Sequence, residues 1–152
     1  MLTYQKIAVQ KRHALMAYLL IGDAEEAMVQ RYLSYGQLWL LQDNGQIIGA
    51  LHYVPAGAKR IEIKNLGILP EYRRHGYGRQ AIELLIEQLS NQDYHQLVVG
   101  TGDASFEAIA FYMHQGFRFS DIRPRFFDQY QRPIIENGIQ LQEMLVLTKA
   151  LI

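Results

Sequence analysis

The residues with the clearest chemical potential lie in one stretch, Arg73-Arg74-His75-Gly76-Tyr77-Gly78. It falls between an apolar run that stops at Pro70 and an apolar-periodic run that starts near Tyr77. A strand that feeds a glycine turn and opens at once into a helix leaves backbone N–H groups unpaired at the positive helix end. Glycine lets an anion approach closely there, and Arg73, Arg74 and Arg79 add cations, so the turn reads as a phosphate-binding device. Gly76-x-Gly78-x-x-Ala81 also satisfies a dinucleotide fingerprint, but that site needs its first glycine directly after the strand and an acid about 20 residues further on. Residues 70–77 separate the strand from Gly78 and no acid precedes Asp103 in the next strand, so the dinucleotide reading fails. No G-x-x-x-x-G-K-[ST] occurs, which excludes a P-loop.

Other chemistries drop out by residue type. The chain has no cysteine, so a disulfide scaffold, a thiolate metal site and a cysteine nucleophile are all excluded. His13, His52, His75, His95 and His114 show neither H-x-H nor H-E-x-x-H spacing, and no metal site is expected. No G-x-S-x-G is present, which removes the common hydrolase elbow.

The elements that must position the turn follow from periodicity. Residues 8–20 read as a helix, and Asp23 starts a second helical signal to about Leu33 with Glu26 as its capping-box partner. The apolar runs QLWLLQ and QIIGALHYV flank Asp43-Asn44-Gly45, a hairpin signal. A third strand covers residues 60–69, and a helix at 77–90 carries Ala81, Ile82, Leu85, Ile86 and Leu89 on one face. A strand at 96–101, a helix at 105–115 ended by Gly116, and strands at 117–122 and 141–151 complete the chain. The strand–helix–strand order from residue 60 to 101 implies a parallel pair with a right-handed crossover inside a mostly antiparallel α+β sheet.

The chain of 152 residues is read as one domain, 1–152. Lys+Arg and Asp+Glu are 15 each, and a formal net charge of zero argues against nucleic acid as the partner. The longest apolar run, residues 14–21, is far below the roughly 18 residues of a membrane span. The expectation is a soluble, cytoplasmic protein with no membrane partner.

Two motifs then coincide. Leu66-Gly67-Ile68-Leu69-Pro70-Glu71-Tyr72-Arg73-Arg74-His75-Gly76-Tyr77-Gly78 resembles the acyl-CoA motif of the GNAT superfamily of N-acetyltransferases. Ser105-x-x-Ala108-x-x-x-Tyr112-x-x-x-Gly116-Phe117 is similar to that family's second motif, with serine where asparagine is usual. The resemblance spans residues 62–117 in the family's order and implies a GNAT-like sheet whose central parallel pair is splayed.

The resemblance implies acetyl-CoA as cosubstrate, with no metal. The N–H groups of Arg73, Arg74, His75, Gly76, Tyr77 and Gly78, with Arg79 nearby, would hold the pyrophosphate; Leu66 and Ile68 would bond the pantetheine, and Gly67 would let the strand bulge. Ser105 would cap its helix and offer its hydroxyl to the pantetheine arm. Tyr112 matches the family's proton donor to the departing thiolate. Glu62, eleven residues before Arg73, has the spacing of the strand glutamate that some members use as base. By strand alternation it would share a face with Leu66 and Ile68. A plain surface pair of Glu62 with Lys64 at i, i+2 is the other reading of this residue, and His52, Asp103, Glu107 and a water chain remain alternative bases.

The implied activity is acetyl transfer to a primary amine by direct attack; a catalytically idle acyl-CoA-binding or sensing module is the alternative. The acceptor, a small-molecule amine or a protein or peptide amine, would sit between residues 22–35 and 121–140. Asp23, Glu25 and Glu26 in the first segment offer negative charge to an amine. The second mixes Arg123, Arg125, Arg132, Asp128 and Glu136 with Phe126, Phe127 and Tyr130, and would bind the acceptor or form a homodimer contact.

Overall fold

Asn44 and Gly45 both adopt left-handed backbone (φ 50° and 77°), as a type I′ hairpin turn requires, and they join β2 (Gln37–Asp43) to β3 (Gln46–Pro55). The computed structural model describes residues 1–151; Ile152, the last residue of the expected domain, lies outside them. β1 (Thr3–Lys6), which periodicity did not mark, pairs antiparallel with β2, and Tyr4 stacks on Trp39 at 3.8 Å. β4 (Arg60–Ile68), β5 (Gln96–Gly102), β6 (Arg118–Arg123) and β9 (Met144–Ala150) extend one sheet of order β1-β2-β3-β4-β5-β9-β6. Two short strands, β7 (Ile135–Glu136) and β8 (Ile139–Gln140), form a separate hairpin inside what the sequence presents as one long connection.

The central parallel pair is present and short. β4 and β5 pair only from Arg60↔Gln96 to Ile63↔Val99. Beyond that point β4 stays with β3 as far as Ile68↔Gly49, while β5 stays with β9 as far as Gly102↔Met144. The two strands therefore part into a V, and the sheet has a gap at its centre.

Each face of the sheet has its own apolar cover. α3 (Tyr77–Leu89) buries Ala81, Ile82, Leu85 and Leu89 of the expected stripe, with Ile86 partly buried beside them, against Trp39, Leu51, Ile61 and Ile63. α4 (Phe106–His114) adds Tyr112 and the following Phe117 to this layer. Its end is a Schellman closure, with Gly116 at φ 94°, Phe117 N donating to Tyr112 O at 3.1 Å and Gly116 N to Met113 O at 3.0 Å. On the other face Met16 and Leu19 of α1 (Met16–Gly22) and Val29 of α2 (Glu26–Gln30) pack with Leu38 and Ala50.

The expected helix over residues 8–20 is divided: Val9–Leu15 is a 3₁₀ turn and only Met16–Gly22 is α-helical. Buried Arg12 is the cause. Its guanidinium donates to the carbonyls of Ile7, Leu33, Tyr35 and Gly36 and ties this turn to the end of the α2 region. The expected Asp23–Glu26 capping box is also absent. Glu25 is the N-cap of α2, and the Asp23 carboxylate is engaged elsewhere.

Candidate active site

The glycine turn has the geometry its residues imply. Arg74 (φ 65°) and Gly76 (φ 78°) lie in the left-handed region, and Gly76 is the N-cap of α3. The first N–H satisfied within the helix is that of Gln80, on Gly76 O at 3.1 Å, so the N–H groups of residues 76–79 have no intrahelical partner. Arg73 Nε donates to Ile68 O and the Arg73 carbonyl meets His75 Nδ1, which fixes the turn to the end of β4. Tyr77 donates its hydroxyl to Asp43 Oδ2 at 2.7 Å, a bond that raises its pKa and anchors the helix start to the β2–β3 hairpin. At Gly78 a Cβ would sit 3.0 Å from the Phe111 ring, so glycine there permits α3 and α4 to approach. Arg79 turns to Glu83 at 3.7 Å on the exposed helix surface.

A cleft of about 1230 Å³ opens at the V between β4 and β5 and runs past Arg73, Arg74, Leu66, Ser105, Tyr112 and Glu62 to the α1–α2 side. Ile68, His75, Gly76, Tyr77, Gly78 and Arg79 lie outside its lining. Tyr112 is 8% exposed and its ring packs edge-on to Phe111 and Phe117 at 5.0 and 5.4 Å. Burial alone raises its pKa, and the phenol stays a proton donor.

Glu62 is the point at which strand alternation misleads. The β3–β4 register slips between His52↔Asn65 and Tyr53↔Ile63, leaving Lys64 as an extra residue on β4. A bulge of this kind reverses the alternation beyond it. Leu66 and Ile68 therefore join the α3 face with Ile61 and Ile63, while Glu62 faces the opposite side. There Arg123 grips its carboxylate through Nη1 at 3.0 Å and Nη2 at 3.3 Å, and Lys64 Nζ lies 3.4 Å away. Tyr112 and Glu62 thus line one cleft from opposite faces of the sheet.

The expected bulge at Gly67 lies instead at Lys64, and Gly67 serves a close approach. A Cβ on it would come within 2.9 Å of Gly22 N and 3.1 Å of the Ile21 side chain, at the end of α1. Ser105 is the N-cap residue of α4, but its hydroxyl makes no cap bond; it donates to Glu136 Oε2 at 3.0 Å, across the cleft wall.

Among the alternative bases, His52 is fully buried and does not line the cleft. Its Nε2 meets Tyr35 O at 2.7 Å and its Nδ1 has no partner among the described residues; burial lowers its pKa to about 4, so it is neutral. The Asp103 carboxylate accepts from the N–H groups of Gln142 and Glu143. Glu107 lines the cleft and accepts from Asn137 Nδ2 at 3.2 Å.

The two acceptor segments are fastened to each other. Tyr130 donates to Asp23 Oδ1 at 2.7 Å, Tyr32 donates to Asp23 Oδ2 at 3.0 Å, and the N–H groups of Gln131 and Arg132 each reach Glu25 at 2.9 Å. Arg31 bonds Gln129 as well. Burial, reinforced by Asp23, raises the pKa of both Tyr32 and Tyr130 and keeps them as donors. Of the three acids expected to attract an amine, Asp23 and Glu25 are committed to this latch, and Glu26 is exposed in the first turn of α2. The Glu62–Lys64 pair at i, i+2 spacing is present, and sequence reasoning missed Asn65. Buried Asn65 bonds Leu19 O and Tyr32 Oη and docks α1 on β4.

Among the described residues no group of three or more His, Cys, Asp or Glu side chains is placed to hold a metal, and no helix is long and apolar enough to cross a membrane.

A mixed sheet whose central parallel pair splays open beside a helix terminus with free N–H groups defines the acetyltransferase class of fold. The chain belongs to the acetyltransferase (GNAT) family, whose model matches residues 11–117. It is 28% identical over 130 residues to the uncharacterized N-acetyltransferase YvbK of Bacillus subtilis (strain 168), covering 85% of this chain and 84% of that protein. A GNAT family acetyltransferase from Elizabethkingia anophelis, solved with acetyl-CoA bound, superposes with a TM-score of 0.90 at 33% identity, covering 98% of this chain and 97% of that one. A Bacillus subtilis acetyltransferase solved in complex with CoA gives a TM-score of 0.89 at 25% identity, with full coverage of both chains (100% each).

Proposed function

We propose that this protein transfers the acetyl group of acetyl-CoA to a primary amine by direct attack, with Tyr112 as general acid and Glu62 as general base. The observation that carries the reading is the single cleft through the sheet, with Tyr112 on the α3–α4 face and Glu62 on the α1–α2 face. In this reading the pyrophosphate lies on the free N–H groups of the glycine turn with Arg73 and Arg74 beside it, and the pantetheine runs along the end of β4, past Ile68 outside the cleft to Leu66 on its wall, and into the V. The thioester then stands in the gap, reached by the cofactor from one side and by the amine from the other.

The chemistry divides along the same line. The neutral amine nitrogen bonds the acetyl carbon, and the C–S bond breaks. The nitrogen's proton leaves toward Glu62, directly or through one water, and the departing sulfur takes the Tyr112 proton. Two cations share the Glu62 carboxylate, so its role is short-range acceptance from an amine already deprotonated by solvent. Backbone N–H groups of the parted strands polarise the thioester carbonyl. With no cysteine in the chain, transfer without a thioester on the enzyme fits the residues present.

Thiol release from acetyl-CoA, measured with purified protein and a panel of primary amines, tests the proposal. Amine-dependent thiol release is the expected result. Tight acetyl-CoA binding without turnover for any amine would replace it with the acyl-CoA-binding or sensing reading.

A further inference from the structure

The acceptor side of the cleft carries an unbalanced charge cluster. One carboxylate, Glu62, is flanked by two cations, Arg123 at 3.0 Å and Lys64 at 3.4 Å. The neighbouring carboxylate, Asp23, is occupied by the hydroxyls of Tyr32 and Tyr130, and Glu107 and Glu136 accept from Asn137 and Ser105 on the α4 side of the cleft. Arg31 also lines this half and its bond goes to the neutral Gln129 side chain. Arg123 and Lys64 are only about one-third exposed, with side-chain values of 37% and 32%, so solvent compensates the surplus cation incompletely. Lys64 has two ammonium protons free and Arg123 has guanidinium N–H groups beyond those on Glu62.

A second feature narrows what can bring the missing anion. The latch of Tyr130, Gln131 and Arg132 onto Asp23 and Glu25 straps the β6–β9 connection across this half of the cleft. Phe126 and Phe127 line the cleft beneath the strap. An extended polypeptide needs a groove open at both ends, whereas a strapped pocket with an aromatic wall admits a small molecule.

Resting on the acetyltransferase reading above, we infer that the acceptor is a small amine with a carboxylate on the same molecule, of amino-acid type, its carboxylate held by Lys64 and Arg123 and its amine turned to Glu62. Each charge of the bound acceptor then faces one of opposite sign, the ammonium giving its proton to solvent before attack, and an apolar or aromatic side chain lies against Phe126 and Phe127. Acetylation leaves the carboxylate in place and converts the amine to a neutral amide, which removes its attraction to Glu62 and favours release.

The experiment is thiol release from acetyl-CoA with matched pairs that differ only by the carboxylate, phenylalanine against phenethylamine and leucine against isopentylamine, together with a lysine-containing peptide. The wild-type protein should favour the amino acid in kcat/KM by at least about tenfold, the size of one charge-assisted hydrogen bond. Lys64→Met should bring the ratio within about threefold of unity while the KM for acetyl-CoA is unchanged, as expected of a contact to the acceptor alone. Turnover of the decarboxylated amine or the peptide equal to that of the amino acid, or confined to amines without a carboxylate, overturns the inference and leaves the acetyltransferase reading standing. A preference that survives Lys64→Met overturns the assignment of the carboxylate site. Absence of thiol release with every amine overturns both.

Discussion

Replacing Tyr112 by phenylalanine separates chemistry from packing, because the hydroxyl has no hydrogen-bond partner among the described residues to lose. Its ring is held by Phe111 and Phe117 at 5.0 and 5.4 Å, and phenylalanine keeps those contacts. Stability should therefore move by no more than about 0.5 kcal/mol. Acetyl-CoA binding should change by less than about threefold, since the proposed pyrophosphate and pantetheine contacts lie elsewhere. The loss falls on the step in which the thiolate departs, where a positioned acid is worth about 10²–10⁴-fold, or roughly 2.7–5.4 kcal/mol of barrier. Burial raises the Tyr112 pKa above the ordinary phenol value, so the donating form persists to higher pH. The wild-type rate should accordingly show no decline from phenol ionisation up to about pH 10, and should rise with the fraction of neutral amine. Steady-state thiol release across pH, with acetyl-CoA binding measured separately by calorimetry, reads both quantities. A fall in kcat of less than about tenfold, or a defect confined to the KM for acetyl-CoA, refutes the general-acid role.

Three further expectations follow from particular contacts. His52 is buried with a pKa lowered from 6.5 to about 4, so the unfolded chain binds a proton between those values and the folded one does not. Stability present above pH 6.5 is therefore lost as the pH falls through that window, by at most about 3 kcal/mol. Denaturant titrations at pH 7 and pH 4.5 should show the drop, and His52→Gln, which keeps a donor toward Tyr35 O, should reduce it; an equal drop in the variant removes His52 as its source. Gly67→Ala places a Cβ 2.9 Å from the Gly22 nitrogen and should lower stability by about 1–3 kcal/mol, read as a fall in Tm that an unchanged melt would contradict. Tyr130→Phe removes the bond to Asp23; amide exchange over residues 126–132 should quicken and the acceptor KM should rise, and no change in either would show that the latch does not order this half of the cleft.

What could be read from residue order is what local physics determines. The Asn44-Gly45 hairpin, the α3 stripe, the Gly116 stop and the glycine turn each depend on residues within one or two turns of chain, and each is found as expected. Asn137-Gly138 is the same kind of signal, with φ 53° and 76°, but the strands it joins are two residues each, too short to show alternation. β1 escaped for a tertiary reason: the stack of Tyr4 on Trp39 and the pairing with β2 hold it, and neither appears in four residues of chain. The candidate site was legible in its cofactor half and only partly in its acceptor half. Glu62 was singled out through the family resemblance, yet its direction depends on one extra residue at Lys64, and its partner Arg123 stands 61 positions away. Asp23 and Glu25 read as a helix start because acids favour that position, while the bonds that form the latch run to Tyr130, Gln131 and Arg132, more than 100 positions distant.

Direct transfer through the gap in the sheet is the central claim, and intact-protein mass spectrometry joined to a single-turnover experiment tests it most directly. Protein mixed with acetyl-CoA alone should gain no acetyl group and release no thiol. Adding a competent amine should then release one thiol for each acetylated amine formed. An acetyl group found covalently on the protein before the amine is added, or thiol released without acetylated amine, would contradict the account.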